Sequence, residues 1–212
     1  MPINIMVVED HPIVRDGIVG YLNACDNMQV IAQADTIQSM LLKVEQLTAE
    51  QQVSGNKSID IVLLDLQLGE HSSIAYISQL SAMGSRVLVL SSAHRYETLI
   101  QAISAGAFGF ISKSIMPDKL ASVISDAYHG KRYLSPDIKP EKDIRLALEE
   151  LSNKELTVLK MLAAGLNNSD IAKALNITIK TVRFHSSNIL SKLDINDRTQ
   201  AAVLAWRQGL VR

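Results

Sequence analysis

Short apolar runs alternate with longer amphipathic stretches along the first 129 residues. The runs are rich in Val, Ile and Leu and nearly continuous, which is typical of strands that are buried on both faces. They lie at residues 3–8, 29–34, 59–64, 86–90 and 109–111, and the stretches with helical periodicity lie at 13–24, 36–48, 72–82, 96–105 and 117–129. Five successive β–α units predict an α/β domain with a five-stranded, parallel, doubly wound sheet and helices on both of its faces.

The pattern changes in the C-terminal part, where all of the amphipathic stretches are short and helical in spacing, at 152–164, 169–175, 178–193 and 197–208. These stretches predict a small all-α domain. Residues 130–150 contain Gly130, Pro136 and Pro140 among mixed charges, so they suit an interdomain linker. The polar segment 48–58 is longer than a usual connection, and we expect it to extend the second helix and then to loop.

The second and third stretches of this C-terminal part predict a helix-turn-helix. We expect Ser169 to cap a short helix, Asn176 to end it in a left-handed turn, and Thr178 to be the N-cap of the next helix. The spacing of that next helix turns one face toward the core, with Val182, Ser186, Ile189 and Leu193. Its other face carries basic and hydrogen-bonding groups near the N-terminus, which is typical of a helix that enters the major groove of DNA.

The chain of 212 residues has a formal net charge of −1, but its two parts differ in charge. Residues 1–129 carry 7 basic and 13 acidic residues, whereas residues 151–212 carry 9 basic and 4 acidic residues. This asymmetry is expected when only the C-terminal part contacts nucleic acid. Taken alone, the basic excess could equally decorate a solvated surface, so an ordinary helical bundle with a basic face stays open as the alternative.

No apolar run approaches the roughly 18–20 residues of a membrane-spanning helix, and the N-terminus reaches an acidic pair without a preceding basic region. We therefore expect neither membrane insertion nor a signal peptide. The single cysteine, Cys25, excludes a disulfide framework and a zinc site built from cysteines. These features favour the reducing cytoplasm as the location.

Charged and hydroxyl side chains stand where the predicted strands end. Glu9 and Asp10 follow the first strand, Asp65 follows the third, Ser91 the fourth and Lys113 the fifth. Because parallel α/β sheets bind ligands at the carboxyl ends of their strands, we expect these groups to share one site. Three converging carboxylates repel one another unless a divalent cation joins them, and oxygen ligands alone suit Mg²⁺. The lysine offers a point charge for an anion such as phosphate.

Four separated motifs agree with this site in order and spacing, namely VVEDHP at 7–12, VLLDL at 62–66, VLVLSS at 87–92 and AGAFGFISK at 105–113. Together they resemble the receiver domain of bacterial two-component response regulators, which has a flavodoxin-like or CheY-like fold. The resemblance implies that a partner sensor histidine kinase phosphorylates an aspartate. The implied residues are Asp65 as the phosphoacceptor, Glu9, Asp10, Asp65 and the backbone carbonyl of Gln67 as Mg²⁺ ligands, Ser91 as the switch hydroxyl, Phe110 as the switch aromatic and Lys113 as the phosphoryl-pairing cation.

In the mechanism that this resemblance implies, Ser91 moves toward the phosphoryl group and the space it leaves lets Phe110 turn inward. The loop after the acceptor departs from the family, because LQLGEHSS at 66–73 has Gly69 where a proline is usual and Ser73 where a glycine is common. This departure keeps open the alternative of a pseudo-receiver, in which the chain binds DNA independently of phosphorylation.

The C-terminal part is similar to the LuxR-type DNA-binding domain through LSNKELTVLKMLAAGLNNSDIA at 151–172, ITIKTVRFH at 177–185 and NDRTQAA at 196–202. With the receiver, this similarity identifies the chain as a member of the NarL/FixJ family of response regulators, transcription factors that bind double-stranded promoter DNA. The implied base contacts come from Arg183, Phe184 and Ser187, and the implied phosphate contacts come from Lys180, Thr181, His185 and Lys192. The resemblance also implies an active homodimer formed through the last helix, and it admits RNA polymerase as a further partner.

We therefore predict a receiver domain at 1–129, a linker at 130–150 and a helix-turn-helix DNA-binding domain at 151–212. We expect the receiver to occlude the recognition helix or the dimer surface until it is phosphorylated. An enzyme is the less favoured interpretation. A phosphohydrolase would need an acid two residues after its nucleophile, where this chain has Gln67, and a flavin site would need a phosphate-binding loop after the first strand, where this chain has acidic residues. We accordingly expect no enzymatic activity.

Overall fold

The computed structural model describes residues 2–54, 59–92, 95–137 and 148–211. The chain divides into two compact units after Asp137, and each unit has its own hydrophobic core. Of the helices within the described ranges, none combines the length and the apolar character that crossing a membrane requires.

The N-terminal unit alternates strands and helices. Its elements are β1 (Ile3–Val8), α1 (Pro12–Asn23), β2 (Met28–Ala34), α2 (Ile37–Ser54), β3 (Ile61–Asp65), β4 (Gln67–Leu68), β5 (His71–Ser72), α3 (Ile74–Ala82), β6 (Arg86–Ser91), α4 (Tyr96–Ser104), β7 (Gly109–Ser112) and α5 (Pro117–Tyr128). Five strands form one parallel sheet in the order β2-β1-β3-β6-β7. Because the chain runs from β1 to one edge and then back across β1 to the other, right-handed connections place helices on both faces. The predicted five-stranded, parallel, doubly wound sheet is confirmed.

Two neighbouring interior strands of the sheet, β1 and β3, are buried along their whole length. Ile5, Val7 and Leu63 belong to a core cluster that also includes residues of α1 and α5. Residues at the alternate positions, such as Met6 and Val62, are equally buried. Burial on both faces explains why these runs are apolar without alternation, and it brings the carboxyl ends of the two strands side by side.

The loop after β3 forms a small hairpin that the sequence analysis does not predict. Strands β4 and β5 pair antiparallel, and α3 begins at Ile74 instead of at residue 72. Ser73 closes the hairpin, because its Oγ donates to the carbonyl of Asp65 at 2.6 Å and its amide donates to the carbonyl of Leu66 at 2.9 Å. Gly69, in the turn, has a φ of +61°, a conformation that the proline usual in the family cannot adopt.

The segment 48–58 extends the second helix as predicted, since α2 continues to Ser54. The loop that we predict after it falls on residues 55–58, which lie outside the described residues.

Residues 133–135 run along the outer edge of β7, and we call them the edge segment. Leu134 forms a parallel bridge with Phe110, whose amide donates to the carbonyl of Tyr133 at 2.9 Å. These residues fall in the predicted linker 130–150, but the structure packs them on the sheet. The linker predicted from the sequence therefore begins with residues that belong to the N-terminal unit, and its part from 138 to 147 lies outside the described residues.

The C-terminal unit is all-α within the described residues, as predicted. Its helices are α6 (Asn153–Ala163), α7 (Asn168–Leu175), α8 (Ile179–Lys192) and α9 (Arg198–Arg207). Val158, Ile171, Val182 and Ile189 are fully buried in one core cluster, so each of the first three helices contributes an apolar stripe.

The helix ends agree with local chemistry at two of three predicted positions. Asn176 has a φ of +52° and ends α7 in the left-handed region, and the Thr178 side chain caps α8 by accepting from the amide of Thr181. The cap predicted at Ser169 is wrong. Asn167 caps α7, because its Oδ1 accepts from the amides of Ser169 and Asp170 at 2.9 and 3.0 Å, and Ser169 therefore lies within the first helical turn.

Candidate functional site

The acidic residues that follow β1 and end β3 meet at the carboxyl edge of the sheet. Glu9 and Asp65 are buried, and Asp10 is partly exposed beside them. One carboxylate oxygen from each of the three, together with a ring nitrogen of His11, lie within 4.8 Å of one another. The convergence predicted from the sequence is thus present, because β1 and β3 are neighbours in the sheet.

Lys113, directly after β7, reaches across to this group. Its Nζ lies 2.7 Å from Asp65 Oδ2 and 2.8 Å from Glu9 Oε2. Burial by itself lowers the pKa of Lys113, but the hydrogen bonds with Asp65 and Glu9 prevail and raise it. The lysine is therefore held in its charged form against the two buried carboxylates.

Burial raises the pKa of the Asp65 carboxyl, and the negative charge of Glu9 acts in the same direction. The hydrogen bond from Lys113 opposes these effects without cancelling them. A perturbed carboxyl beside a lysine in an open groove is a combination typical of functional sites.

Asp10 is held by two groups on the outside of the site. Its Oδ2 accepts from the amide of Gly69 at 2.9 Å, and its Oδ1 lies 2.8 Å from His11 Nδ1. Burial raises the pKa of Asp10, but the Gly69 amide and His11 outweigh it and bring the pKa below its usual value. The hairpin turn therefore keeps this carboxylate charged and oriented.

His11 is a site residue that the sequence analysis misses. Its Nδ1 contacts Glu9 Oε1 at 3.0 Å as well as Asp10, and the hydrogen bond with Glu9 is the main cause that raises the pKa of His11. The available signal was its position, since it directly follows the acidic pair at the N-cap of α1, where its side chain caps nothing.

The other two predicted residues, Gln67 and Ser91, lie on the same edge of the sheet. Asp10, Asp65, Gln67, Ser91 and Lys113 all line an open groove of about 750 Å³. Gln67 begins the hairpin, and its backbone amide donates to Asp65 Oδ1 at 3.2 Å. That the Gln67 carbonyl is a metal ligand stays a prediction.

Phe110 lies under this site in β7, and its side chain is fully buried. The resemblance implies that this ring turns inward on phosphorylation. The ring is already fully buried in the structure, and its inward turn on phosphorylation stays a prediction.

A second candidate surface lies on α8. Lys180, Arg183, Phe184 and Ser187 are exposed, and Phe184 is 61% exposed. The opposite side of the helix is anchored by the buried Val182 and Ile189. The structure thus presents a basic, hydrogen-bonding and partly aromatic face of the kind that enters the major groove.

The other predicted contacts of α8 are more enclosed. Thr181 Oγ1 lies 2.9 Å from the capping hydroxyl of Thr178. The His185 ring lies edge-on to Phe184 with 5.9 Å between centroids, and within the described residues its buried Nδ1 has no hydrogen-bond partner. The phosphate contacts of Thr181 and His185 stay predictions.

Lys192 is paired within its own unit. Its Nζ lies 2.8 Å from Glu155 Oε2 and donates to the carbonyl of Glu150 at 3.1 Å. The same Glu155 accepts from the amide of Ser152, which completes a capping box at the start of α6. The hydrogen bonds from Lys192 and Ser152 lower the pKa of Glu155 to about 2. Glu155 was not predicted from the sequence, although the S-x-x-E spacing is the signature of a capping box.

Comparisons with known proteins identify the domain to which each surface belongs. The profile of the response regulator receiver domain matches residues 5–125, and that of the luxR family of bacterial regulatory proteins matches residues 149–205. The response regulator protein VraR is 28% identical in Staphylococcus epidermidis (strain ATCC 35984) and 29% identical in Staphylococcus aureus (strain NCTC 8325), over 219 residues that span both chains completely.

Solved structures show the same architecture. A two-component response regulator of the LuxR family from Aurantimonas sp. SI85-9A1 is 28% identical with a TM-score of 0.53, covering 65% of this chain and 93% of that one. RcsB in a complex with DNA is 22% identical with a TM-score of 0.55 over 97% of this chain and 99% of that one, and it supports the fold. The chain therefore belongs to the two-component response regulators that join a receiver domain to a LuxR-type DNA-binding domain.

Proposed function

We propose that the protein is a cytoplasmic transcription regulator that is switched when a sensor histidine kinase phosphorylates Asp65. The observation that carries this proposal is the position of Lys113 Nζ, 2.7 Å from Asp65 Oδ2. A buried carboxylate with a fixed cation beside it and an open groove in front of it is suited to accept a phosphoryl group.

Each residue has a distinct part in this transfer. A carboxylate oxygen of Asp65 attacks the phosphorus of the kinase phosphohistidine; the new O–P bond forms as the P–N bond breaks, and the imidazole leaves with the electron pair and takes up a proton. Lys113 neutralises charge on the transferred phosphoryl oxygens. The Ser91 hydroxyl, which lines the same groove, donates to one of these oxygens.

The donor set fits a magnesium ion, because the carboxylates of Glu9, Asp10 and Asp65 offer closely spaced oxygens. These residues would hold Mg²⁺ together with the backbone carbonyl of Gln67. When bound, the ion supplies positive charge that offsets the repulsion between the carboxylates and the phosphoryl group. The Gly69 amide keeps Asp10 oriented toward that position.

For DNA binding, we propose that α8 enters the major groove. Arg183, Phe184 and Ser187 contact bases, whereas Lys180, Thr181 and His185 contact phosphates. Lys192 is paired with Glu155, so in this proposal it stabilises the end of α8 and does not contact a phosphate. The exposure of the four outermost side chains and the basic excess of residues 151–212 support this assignment.

We further propose that the active form is a homodimer that binds inverted half-sites on promoter DNA, where it can meet RNA polymerase. RcsB has been solved as dimers bound to DNA, and the present chain shares its architecture. A two-fold dimer on DNA requires half-sites about one helical turn apart, or a multiple of that distance.

Intact mass after treatment with acetyl phosphate, with and without Mg²⁺, tests the proposal. We expect a single phosphoryl adduct that requires Mg²⁺ and is absent from Asp65→Asn. Asp60→Asn is the matched control, since Asp60 accepts from the amide of Asn4 away from the groove, and it should still take up the phosphoryl group. A folded protein that binds DNA but takes up no phosphoryl group would establish the pseudo-receiver alternative.

A further inference from the structure

We propose that the edge segment, residues 133–135, holds strand β7 in the position of the unphosphorylated state and separates from it when Asp65 is phosphorylated. The inference rests on the proposed function, because it takes Asp65 as the phosphoacceptor. β7 contains Phe110 and is followed directly by Lys113, so a contact that fixes this strand also fixes the phosphoryl-pairing lysine.

Three hydrogen bonds join the edge segment to β7. The Phe110 amide donates to the carbonyl of Tyr133 at 2.9 Å, the Ser135 amide donates to the carbonyl of Phe110 at 2.9 Å, and the Ser112 amide donates to Ser135 Oγ at 2.8 Å. Ser135 is 3% exposed, so water cannot readily replace its hydroxyl. The segment therefore acts as a short sixth strand, and Ser135 is its main positioning residue.

The sequence of β7 is adapted to this close approach. A β-carbon at Gly109 would lie 2.9 Å from the carbonyl oxygen of Tyr133 and 2.8 Å from Leu88 Cδ2. Glycine lets the segment lie directly on the strand. Arg132 anchors the start of the segment, with its guanidinium carbon 4.7 Å from the centroid of the Phe108 ring.

The two sides of β7 are held with unequal strength. On the inner side, the strand pairs with β6 over four residues, and the amide of Lys113 adds a bond to the carbonyl of Ser91 at 3.0 Å. On the outer side, within the residues that the structure describes, three hydrogen bonds join the strand to the edge segment. A phosphoryl group on Asp65 attracts Lys113 and Ser91, so β7 moves together with β6 and the weaker outer edge gives way.

The contact between the edge segment and β7 also affects the connection between the two units. The edge segment lies close to the end of the N-terminal unit, which ends at Asp137. Its release lengthens the connection to the C-terminal unit. Because the Phe110 ring is buried already, displacement of the strand is what carries this change.

Amide hydrogen exchange followed by NMR on the full chain tests the inference, and the residues directly before and after β7 provide the control. The amides of Phe110 and Ser112 donate to the edge segment, whereas those of Phe108 and Lys113 donate to the carbonyls of β6 residues. After phosphorylation with acetyl phosphate and Mg²⁺, we expect the first pair to exchange at least about fivefold faster and the second pair to change by less than about twofold.

The two proposals can fail separately. If the mass spectrum shows the adduct and the two pairs of amides keep their relative protection, the role of the edge segment is refuted and the proposed function stands. If no adduct forms, both are refuted.

A reciprocal measurement uses beryllofluoride with Mg²⁺ as the phosphoryl mimic and calorimetry as the readout. If phosphorylation destabilises the contact of the edge segment by about fivefold, then the contact must weaken phosphoryl binding by the same fivefold factor. Ser135→Ala, which loses a bond of this contact, should therefore bind beryllofluoride about fivefold more tightly than the native chain. Ser135→Thr keeps the hydroxyl and should restore the native affinity.

Ser81→Ala is the matched control, since it removes a hydroxyl that donates to the carbonyl of Gly106, away from β7. Its affinity for beryllofluoride should be native. If Ser135 has a merely structural role, Ser135→Ala should bind beryllofluoride more weakly than the native chain or with the same affinity. Either result would refute the inference.

Discussion

The two units each contain a lysine bonded to a buried carboxylate, and the two arrangements differ in their balance of charge. In the N-terminal unit, Lys113 Nζ is shared by Glu9 and Asp65 at 2.8 and 2.7 Å, so the buried negative charge exceeds the positive. In the C-terminal unit, Lys192 pairs with one buried carboxylate, that of Glu155, at 2.8 Å.

The pKa values follow this difference. Burial, reinforced by Glu9, raises the pKa of Asp65, whereas the bonds from Lys192 and Ser152 lower the pKa of Glu155 to about 2. An ion pair with unsatisfied negative charge is suited to take up a cation and react, whereas a balanced and fully hydrogen-bonded pair serves to hold two helices together. The same two residue types thus form a site in one unit and a structural tie in the other.

The largest effect is expected from Lys113→Met. The substitution leaves Glu9 and Asp65 buried together without a counter-charge, and it should lower the free energy of unfolding of the N-terminal unit by about 3–5 kcal/mol. Urea unfolding followed by far-ultraviolet circular dichroism measures this change. Lys131→Met is the control, because Lys131 pairs with Asp126 at an exposed position and should contribute less than about 1 kcal/mol. Equal losses in the two variants would contradict the assignment.

The next effect is expected from Glu155→Ala, which removes the partner of Lys192 and half of the capping box. We expect the C-terminal unit to lose about 2–3 kcal/mol of its free energy of unfolding. Trp206, the single tryptophan of the chain, reports on this unit by its fluorescence. The exposed Glu149→Ala should stay within about 0.5 kcal/mol of the native value. A similar value for Glu155→Ala would mean that the pair is not a structural tie.

The stability that the Glu155–Lys192 pair contributes should depend on pH. Because the pKa of Glu155 is lower in the folded state, its contribution is fully present above its usual pKa of 4.5 and is lost as the pH falls toward 2. The difference in unfolding free energy between the native chain and Glu155→Gln should therefore be constant from pH 5 to 7 and shrink below about pH 4. Trp206 fluorescence in urea measures this difference, and a difference that grows on acidification would mean that the pKa of Glu155 is higher, not lower, in the folded state.

The smallest effect distinguishes the exposed Lys180 from the paired Lys192. Lys180→Ala should reduce the salt dependence of binding to double-stranded DNA by about one unit of the log–log slope and leave stability within about 0.5 kcal/mol. Lys192→Ala should instead lower the free energy of unfolding and leave the log–log slope unchanged. Fluorescence anisotropy of labelled DNA at several salt concentrations gives the slope. A reduced slope in Lys192→Ala would restore its predicted phosphate contact.

The sequence by itself determined the elements and the residue types of both surfaces. The apolar runs predicted all five strands of the sheet, and most clearly β1 and β3, because strands buried on both faces do not alternate with polar residues. Thr178 was predicted correctly because its side chain accepts from an amide three residues later, and Asn176 because asparagine adopts the left-handed conformation more readily than most residues. The carboxylates of Glu9, Asp10 and Asp65 could be placed on one edge because parallel strands share a direction.

Only the tertiary structure decided how these groups are connected. The hairpin that holds Asp10 and the packing of Ser135 on β7 depend on contacts between residues tens of positions apart. The pairing of Lys192 with Glu155 spans 37 positions, and neither residue type indicates its partner in advance. Periodicity records which side of an element is buried, whereas hydrogen bonds between distant elements depend on the packed distances, and these exist only once the chain has folded.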